Sequence, residues 1–193
     1  MRICVYGAAS PTIDPEYIAK VEALGREMAK RGHSLVFGGG GNGLMGAAAR
    51  GVRDGGGYIL GVIPKFFDEE DVEEICDFCN ELIQPDTMRQ RKQIMEERSD
   101  AFIVTPGGIG TYEEFFEIYT LKQLGRHQKP IILYNIDGFF DGLNDILKGL
   151  VTNGFMREVC LSLLSFATTP DEVLSQLNAV SERVTVTDTK YVQ

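Results

Sequence analysis

The sequence is short of positive charge, of long apolar runs and of cysteine. Its 193 residues carry 19 Lys and Arg against 28 Asp and Glu, which gives a net charge of −9. Nucleic-acid polymers and anionic membrane surfaces are bound through excess positive charge, so neither is an expected partner. A small anion would have to be held by local dipoles and by one or two well-placed cations.

The lack of long apolar runs bears on location. No run approaches the roughly 20 residues that a membrane span needs, and no signal-like segment precedes the first strand pattern, so we expect a cytoplasmic protein. Its four cysteines suit that compartment as reduced thiols. Cys76 and Cys79 form a C-x-x-C, but zinc would require a second pair, and we therefore predict neither a metal nor a redox role for them.

What is present is a regular alternation of apolar runs and helical patterns. An alternation of this kind predicts an α/β fold, a Rossmann-like open parallel sheet with helices on both faces. We expect a single domain over residues 1–183 and a loosely ordered C-terminal tail over 184–193. The predicted strands are 2–6, 34–37, 58–63, 80–84, 101–104, 131–134 and an extended run near 161–166. The predicted helices are 15–31, 47–53, 86–98, 112–124, 139–152 and 170–181.

The stretch 105–114, TPGGIGTYEE, follows the strand pattern at 101–104. Glycine lets a ligand approach the main chain, and a helix N-terminus offers unpaired N–H groups, so the stretch predicts a phosphate-binding turn. We expect Thr111 to be the N-cap, with Glu114 at the third helical position. Those two residues would also form a capping box without any ligand. A capping box, however, does not require three preceding glycines.

A second glycine-rich turn, 38–46, follows the strand pattern at 34–37. Gly38, Gly40 and Gly43 match G-x-G-x-x-G, but no acidic residue ends a strand about twenty positions later, so we do not predict an NAD site. We interpret the turn as a second phosphate- or ribose-facing loop. The alternative is that its glycines only permit close packing of a helix on a strand.

Two helical patterns carry further hypotheses. Met88, Arg91, Lys92 and Met95 share one helical face, which the methionines indicate is turned inward. Since buried charge is costly unless it is paired, we predict an Arg–Lys pair facing an anion; the alternative is that both side chains reach solvent. The pattern at 112–124 is apolar nearly all round, which predicts a homodimer that uses this helix.

Four motifs together resemble the LONELY GUY family of cytokinin-activating phosphoribohydrolases, once described as lysine decarboxylases. The family's P-G-G-x-G-T-x-x-E corresponds to residues 106–114, and its M-x-x-R-K corresponds to Met88, Arg91 and Lys92. Its G-G-G-x-x-G-L-M-G corresponds to 38–46, and its T-x-x-Q-L-G-x-H-x-K-P to 120–130. The similarity spans residues 2–155, with all four motifs in order.

The resemblance implies hydrolysis of the N-glycosidic bond of an adenosine-type nucleoside 5′-monophosphate, often N6-modified, to the free base and ribose 5-phosphate. It also implies a dimer with its site near the subunit interface, and no metal or organic cofactor. Arg91 and Glu114 would be the catalytic pair, although spacing alone does not distinguish Glu114 from Glu113. The residues implied to bind substrate are Met88, Lys92, Gly40, Gly43, Gly107, Gly108, Ile109, Gly110, Thr111, Tyr112, Glu113 and Thr120.

Two alternatives stay open at this point. A non-catalytic nucleotide or molybdenum-cofactor carrier on the same fold would need the phosphate turn but not the Arg–Glu pair. A general AMP nucleosidase would share the chemistry and differ in its base pocket. The chain departs from the family's usual pattern at Ala8-Ala9-Ser10, and again between Lys65 and Cys79, where the acidic run 68–74 lies. Both departures concern the preference for the base.

Overall fold

A computed structural model describes residues 1–69 and 74–177. Its strands are β1 (Arg2–Tyr6), β2 (Ser34–Phe37), β3 (Ile59–Val62), β4 (Glu81–Ile83), β5 (Ala101–Val104), β6 (Ile131–Tyr134) and β7 (Ser165–Ala167). They form one sheet in the order β4-β3-β2-β1-β5-β6-β7. Every neighbouring pair is parallel. The predicted α/β fold with an open parallel sheet is confirmed.

Helices cover both faces of this sheet. They are α1 (Pro15–Lys30), α2 (Gly43–Asp54), α3 (Phe66–Glu69), α4 (Met88–Glu97), α5 (Ile109–Gln123), α6 (Asp141–Thr152) and α7 (Pro170–Gln176). Ile3 and Val5 of β1 pack with α1, α2 and α7. Cys4 and Tyr6 point to the other face and pack with α5 and α6. Because both faces are covered, the strands are apolar at nearly every position.

Some element boundaries differ from the predicted ones. Residues Glu158–Leu163 form a 3-10 helix, so the strand expected near 161–166 is reduced to β7. The apolar residues Cys160 and Leu163 are three apart and both buried, which matches the 3-10 period rather than the alternation of a strand. The helix expected at 170–181 is described to Gln176. The predicted tail at 184–193 and residues 70–73 of the acidic run lie outside the described residues, and the domain limit at residue 183 stays a prediction.

The described part of the chain contains no helix that is long and apolar enough to cross a membrane. The cytoplasmic location stays a prediction. All four cysteines are free thiols, and Cys76 and Cys79 lie at the edge of the core on the α2 face of the sheet.

Helices α1 and α2 approach each other closely at Gly25 of α1. A β-carbon at Gly25 would lie 2.4 Å from the carbonyl oxygen of Ala48 in α2 and 3.0 Å from the amide nitrogen of Val52. Both are main-chain atoms, so no side-chain rotation would relieve the clash. Gly149, inside α6, offers a contrast because a β-carbon there would meet nothing within 4 Å.

We therefore predict opposite effects for the same substitution at these two helical glycines. Gly25→Ala should force α1 and α2 apart and lower the free energy of unfolding by about 1–3 kcal/mol. Gly149→Ala should raise it by about 0.5–1 kcal/mol, because alanine loses less backbone entropy on folding. Urea unfolding followed by circular dichroism measures both. Equal effects of the two substitutions would contradict the packing described for Gly25.

Candidate active site

The sheet has a switch point between β1 and β5, because the chain proceeds from β1 toward one edge and from β5 toward the other. Open parallel sheets bind ligands at such points, beyond the carboxyl ends of the strands. The turns after the two strands are joined there: Ala8 N donates to Pro106 O at 3.1 Å, and Thr105 Oγ1 donates to Tyr6 O at 3.0 Å. A cavity of about 360 Å³ opens at the two turns. Its walls are Gly7, Ala8, Ala9, Ser10, Met45, Phe67, Met88, Arg91, Gly108, Gly110, Thr111, Glu113 and Glu114.

The N-terminus of α5 reaches this cavity without a side-chain cap. The helix begins at Ile109, its N-cap is Gly108, and no side chain of the described residues caps its first amides. The expectation that Thr111 is the N-cap is therefore wrong, and so is the alternative of a capping box between Thr111 and Glu114. Gly108 is extended, with φ −90° and ψ −158°, which starts the helix before Thr111 and places that residue, buried, within the first turn. The first amide N–H groups of a helix have no partner inside it, so this end of α5 can bind an anion.

The Arg91 side chain is held in the cavity wall by main-chain carbonyls. Its Nε donates to Val62 O at 3.1 Å, and its Nη2 donates to Gly38 O at 3.1 Å. A β-carbon at Gly38 would lie 2.0 Å from Nη2, so glycine is required where the guanidinium docks. Only 5% of Arg91 is exposed. None of the ion pairs found among the described residues includes Arg91, so its charge remains available to a ligand.

Glu114 faces the same cavity from α5. Its exposed fraction is 9%, and its carboxylate makes no hydrogen bond within the described part of the chain. Burial raises the pKa of Glu114 to about 7, and the nearby Arg91 charge opposes that rise. A carboxyl group with a pKa near neutrality can accept or donate a proton at physiological pH.

The neighbouring Glu113 has a different environment. It is exposed and accepts a hydrogen bond from Lys92 Nζ, which also lies 2.8 Å from Glu117 Oε2. Lys92 thus joins α4 to α5 through two carboxylates and does not line the cavity. The structure thereby gives different surroundings to two carboxylates that spacing alone did not distinguish.

About half of the site residues predicted from the sequence line the cavity. Those that line it are Met88, Arg91, Gly108, Gly110, Thr111, Glu113 and Glu114. Gly107 instead lines a neighbouring, more apolar cavity of about 340 Å³, beside Tyr17 and Phe139. The predicted residues that line neither cavity are Gly40, Gly43, Lys92, Ile109, Tyr112 and Thr120.

Several of these outlying residues have evident structural roles. Gly43 begins α2 with φ +59°, and a β-carbon there would lie 2.3 Å from Ala8 O. Gly40 forms an isolated bridge with Ile75. The ring of Tyr112 packs edge-on against Phe140 at 6.1 Å. This geometry favours the packing alternative for part of the second glycine-rich turn.

Sequence reasoning left Met45 and Phe67 out of the candidate site. Met45 reaches the cavity from α2, and Phe67 reaches it from the four-residue helix α3, which was not predicted. No spacing or motif marks either residue. The turn from Gly7 to Ser10 was identifiable, because it follows the first strand of the sheet.

The sheet topology and the glycine-rich turns at the switch point define an α/β protein of the Rossmann-like class. Solved structures agree with this fold. The molybdenum cofactor binding protein of Rippkaea orientalis matches with a TM-score of 0.70 at 23% identity, over 93% of this chain and 96% of that chain. The molybdenum cofactor carrier protein of Chlamydomonas reinhardtii matches with a TM-score of 0.68 at 20% identity, over 93% and 96%.

Sequence comparisons are more specific. A family model described as "Possible lysine decarboxylase" matches residues 45–177. A cytokinin riboside 5′-monophosphate phosphoribohydrolase of Mycobacterium tuberculosis is 45% identical over 163 residues, which cover 84% of this chain and 85% of the relative. An Arabidopsis thaliana protein with the same enzyme name is 38% identical over 176 residues, 91% of this chain and 82% of the relative. The chain therefore belongs to the LONELY GUY family, which confirms the resemblance seen in its four motifs.

The buried Glu114 predicts a specific pH dependence of stability. Its pKa is raised in the folded protein, so the unfolded chain releases this proton at lower pH than the folded protein does. The contribution of Glu114 to the free energy of unfolding is fully present below about pH 4.5 and is lost as the pH rises to about 7. Glu114→Gln cannot ionise, so we expect its free energy of unfolding to increase relative to that of wild type by up to roughly 3 kcal/mol between pH 4.5 and 8.

Urea midpoints of wild type and Glu114→Gln, measured across this pH range, check the prediction. Glu97→Gln, which neutralises an exposed carboxylate on α4, is the control and should track wild type. A difference between wild type and Glu114→Gln that does not change with pH would contradict the burial of the carboxyl group.

Proposed function

We propose that this protein hydrolyses the N-glycosidic bond of adenosine-type nucleoside 5′-monophosphates, N6-modified ones included, and releases the free base and ribose 5-phosphate. One observation carries the proposal: the buried Glu114 carboxylate, which has no hydrogen bond from the described residues, shares a cavity with the Arg91 guanidinium. The relatives named phosphoribohydrolases support the same reaction.

The N-terminus of α5 is the proposed phosphate site. Its first amides lack a side-chain cap, and the helix dipole adds partial positive charge at the same place. Gly108 and Gly110 both line the cavity, and a β-carbon at either would meet nothing within 4 Å, so the space in front of this helix end is open. A 5′-phosphate bound there would leave the ribose and the base to extend along the cavity.

Glu114 is the proposed catalytic carboxylate. Cleavage of a glycosidic bond passes through a transition state in which positive charge develops on the sugar ring, and a nearby carboxylate stabilises that charge. A pKa of about 7 also suits Glu114 to take the proton of the attacking water. Water adds to C1′ of the ribose as the bond to the base breaks, and the base leaves with a proton. The scheme uses no metal or organic cofactor.

Arg91 is proposed to hold the charged groups of the site in position. Its guanidinium is fixed by Val62 O and Gly38 O, so it keeps one orientation while substrates enter and products leave. Its positive charge lowers the pKa of Glu114 and so increases the fraction of the carboxylate form. The same cation is available to the substrate phosphate.

A non-catalytic carrier is the competing function. The molybdenum cofactor proteins share the fold at 20–23% identity, which shows a common architecture and no more. A carrier needs an anion site but does not need a carboxyl group whose pKa lies near neutrality. The Glu114 environment therefore favours the enzyme.

Two adjacent carboxylates provide a matched test of the catalytic proposal. We expect Glu114→Gln to lower the rate of base release from AMP and from N6-isopentenyl-AMP by about 100-fold or more, because it removes the carboxylate from the cavity. Arg91→Ala should also impair the reaction. Glu113→Gln, which alters an exposed and ion-paired carboxylate, should retain most of the activity. Chromatography of the released base measures all three.

The same assay separates the alternatives. If wild type binds AMP but frees no base from either nucleotide, the hydrolase proposal fails and a carrier takes its place. Equal rates with the two nucleotides would indicate a general nucleosidase. If Glu113→Gln is as damaging as Glu114→Gln, the assignment of Glu114 is wrong.

We also propose that the protein is a homodimer that associates through α5. Large apolar side chains are exposed on α5 and just after it. Phe116 is 39% exposed, and Leu124, the residue after the helix, is 42% exposed. Exposed apolar groups on one helix favour contact with a second copy.

The proposed interface predicts that Phe116→Glu will convert the dimer to a monomer, because a charge there would have to be buried without a partner. Sedimentation velocity of the purified protein measures the mass. Phe155→Glu is the control, since Phe155 is 77% exposed and does not belong to α5. A monomeric wild type, or a dimer that survives Phe116→Glu, would refute this arrangement.

A further inference from the structure

The cavity wall combines charged and apolar groups. Its charged side chains include Arg91 and Glu114, which lie with the first turn of α5. Its larger apolar side chains are Met45, Phe67 and Met88. A nucleotide combines the same two kinds of group, because a phosphate lies at one end and an aromatic base at the other.

Phe67 is the one aromatic residue in the cavity wall of the described chain. It belongs to α3, where its amide donates to Pro64 O at 3.1 Å. Its ring centre is 5.6 Å from Cζ of Arg91, and Arg91 is itself anchored to main-chain carbonyls. The contact between cation and ring helps to keep Phe67 beside the reacting end of the cavity.

The order of groups along the cavity determines where the base must lie. With the phosphate at the α5 N-terminus and the glycosidic carbon next to Glu114, the base has to extend past Glu114, away from the helix end. Phe67 offers the planar apolar surface in the wall of the same cavity. Purines stack on aromatic rings, and removal of one such ring typically weakens binding about 5- to 100-fold.

We propose that Phe67 is the base-stacking, specificity-determining residue of the site, and that its ring receives the purine of the nucleoside monophosphate. This inference rests on the proposed function, because it uses the placement of the phosphate and of C1′. Met45 and Met88 contribute adaptable apolar contact but have no planar face. Phe67 also lies between Lys65 and Cys79, the segment in which the sequence departs from the family's usual pattern.

Phe66 is a matched control on the same short helix. Its ring lies 5.0 Å from that of Phe67 with a 50° tilt, but it does not line the cavity. Phe66→Ala should therefore disturb the packing of α3 about as much as Phe67→Ala does, but it should not remove a contact to the bound base. Phe67→Tyr keeps the ring and tests whether aromaticity is the property required.

The experiment is titration calorimetry with AMP and with ribose 5-phosphate, in a Glu114→Gln background that prevents turnover. We expect Phe67→Ala to raise the Kd for AMP about 5- to 100-fold and to leave the Kd for ribose 5-phosphate unchanged. Phe67→Tyr and Phe66→Ala should bind AMP as the parent does. The two ligands share the sugar phosphate and differ by the base, so a loss confined to AMP locates the effect at the base.

Several outcomes would overturn the inference. An unchanged Kd for AMP in Phe67→Ala would show that the ring does not contact the base. A parallel loss for both ligands, or an equal loss in Phe66→Ala, would show that α3 only shapes the cavity. Failure of the proposed function is separately visible: wild type would then release no base, whatever Phe67→Ala does to the binding of AMP.

Discussion

The contact on which the site depends is the docking of the Arg91 guanidinium against Val62 O and Gly38 O, at the ends of two neighbouring strands. Because uncharged carbonyls rather than a carboxylate hold the cation, it is fixed in place without being neutralised. Parallel pairing of β2 with β3 brings those carbonyls together, and the missing side chain at Gly38 leaves room for the guanidinium. The sheet thus directs a positive charge into the cavity at its switch point.

The cation is balanced by a carboxylate that burial keeps partly protonated. Desolvation raises the pKa of Glu114 and the Arg91 charge lowers it, and the result lies near neutrality. The two groups come from different helices, α4 and α5, which flank β5 in the chain. Lys92 ties these helices together through Glu113 and Glu117. Glu113 lines the cavity but is exposed and ion-paired, whereas Glu114 is buried and accepts no hydrogen bond from the described residues.

A common fold joins this protein to cofactor carriers, and a common family joins it to phosphoribohydrolases. A shared fold does not fix the function, which depends on the side chains of the site. The glycine-rich turns would serve either function, since they only open space and expose amides to an anion. The Glu114 carboxylate, which accepts no hydrogen bond from the described residues, has a chemical use in the hydrolase only. The apolar wall that includes Phe67 then decides which base is accepted, separately from the bond that is broken.

The sequence by itself determined the parallel α/β architecture, and it indicated the turn after β5 as a candidate anion site and Arg91 with Glu114 as candidate catalytic residues. These inferences follow from local periodicity, glycine spacing and family motifs. The sequence misplaced the start of α5, since glycine flexibility let the helix begin before the polar residue that resembled a cap. Only the tertiary structure gave Glu114 and Glu113 different surroundings, removed Lys92 from the cavity lining and brought Phe67 into it. Burial and choice of partner depend on residues far apart in the chain, as with Arg91 and Gly38, which are 53 positions apart, and no local pattern encodes such a contact.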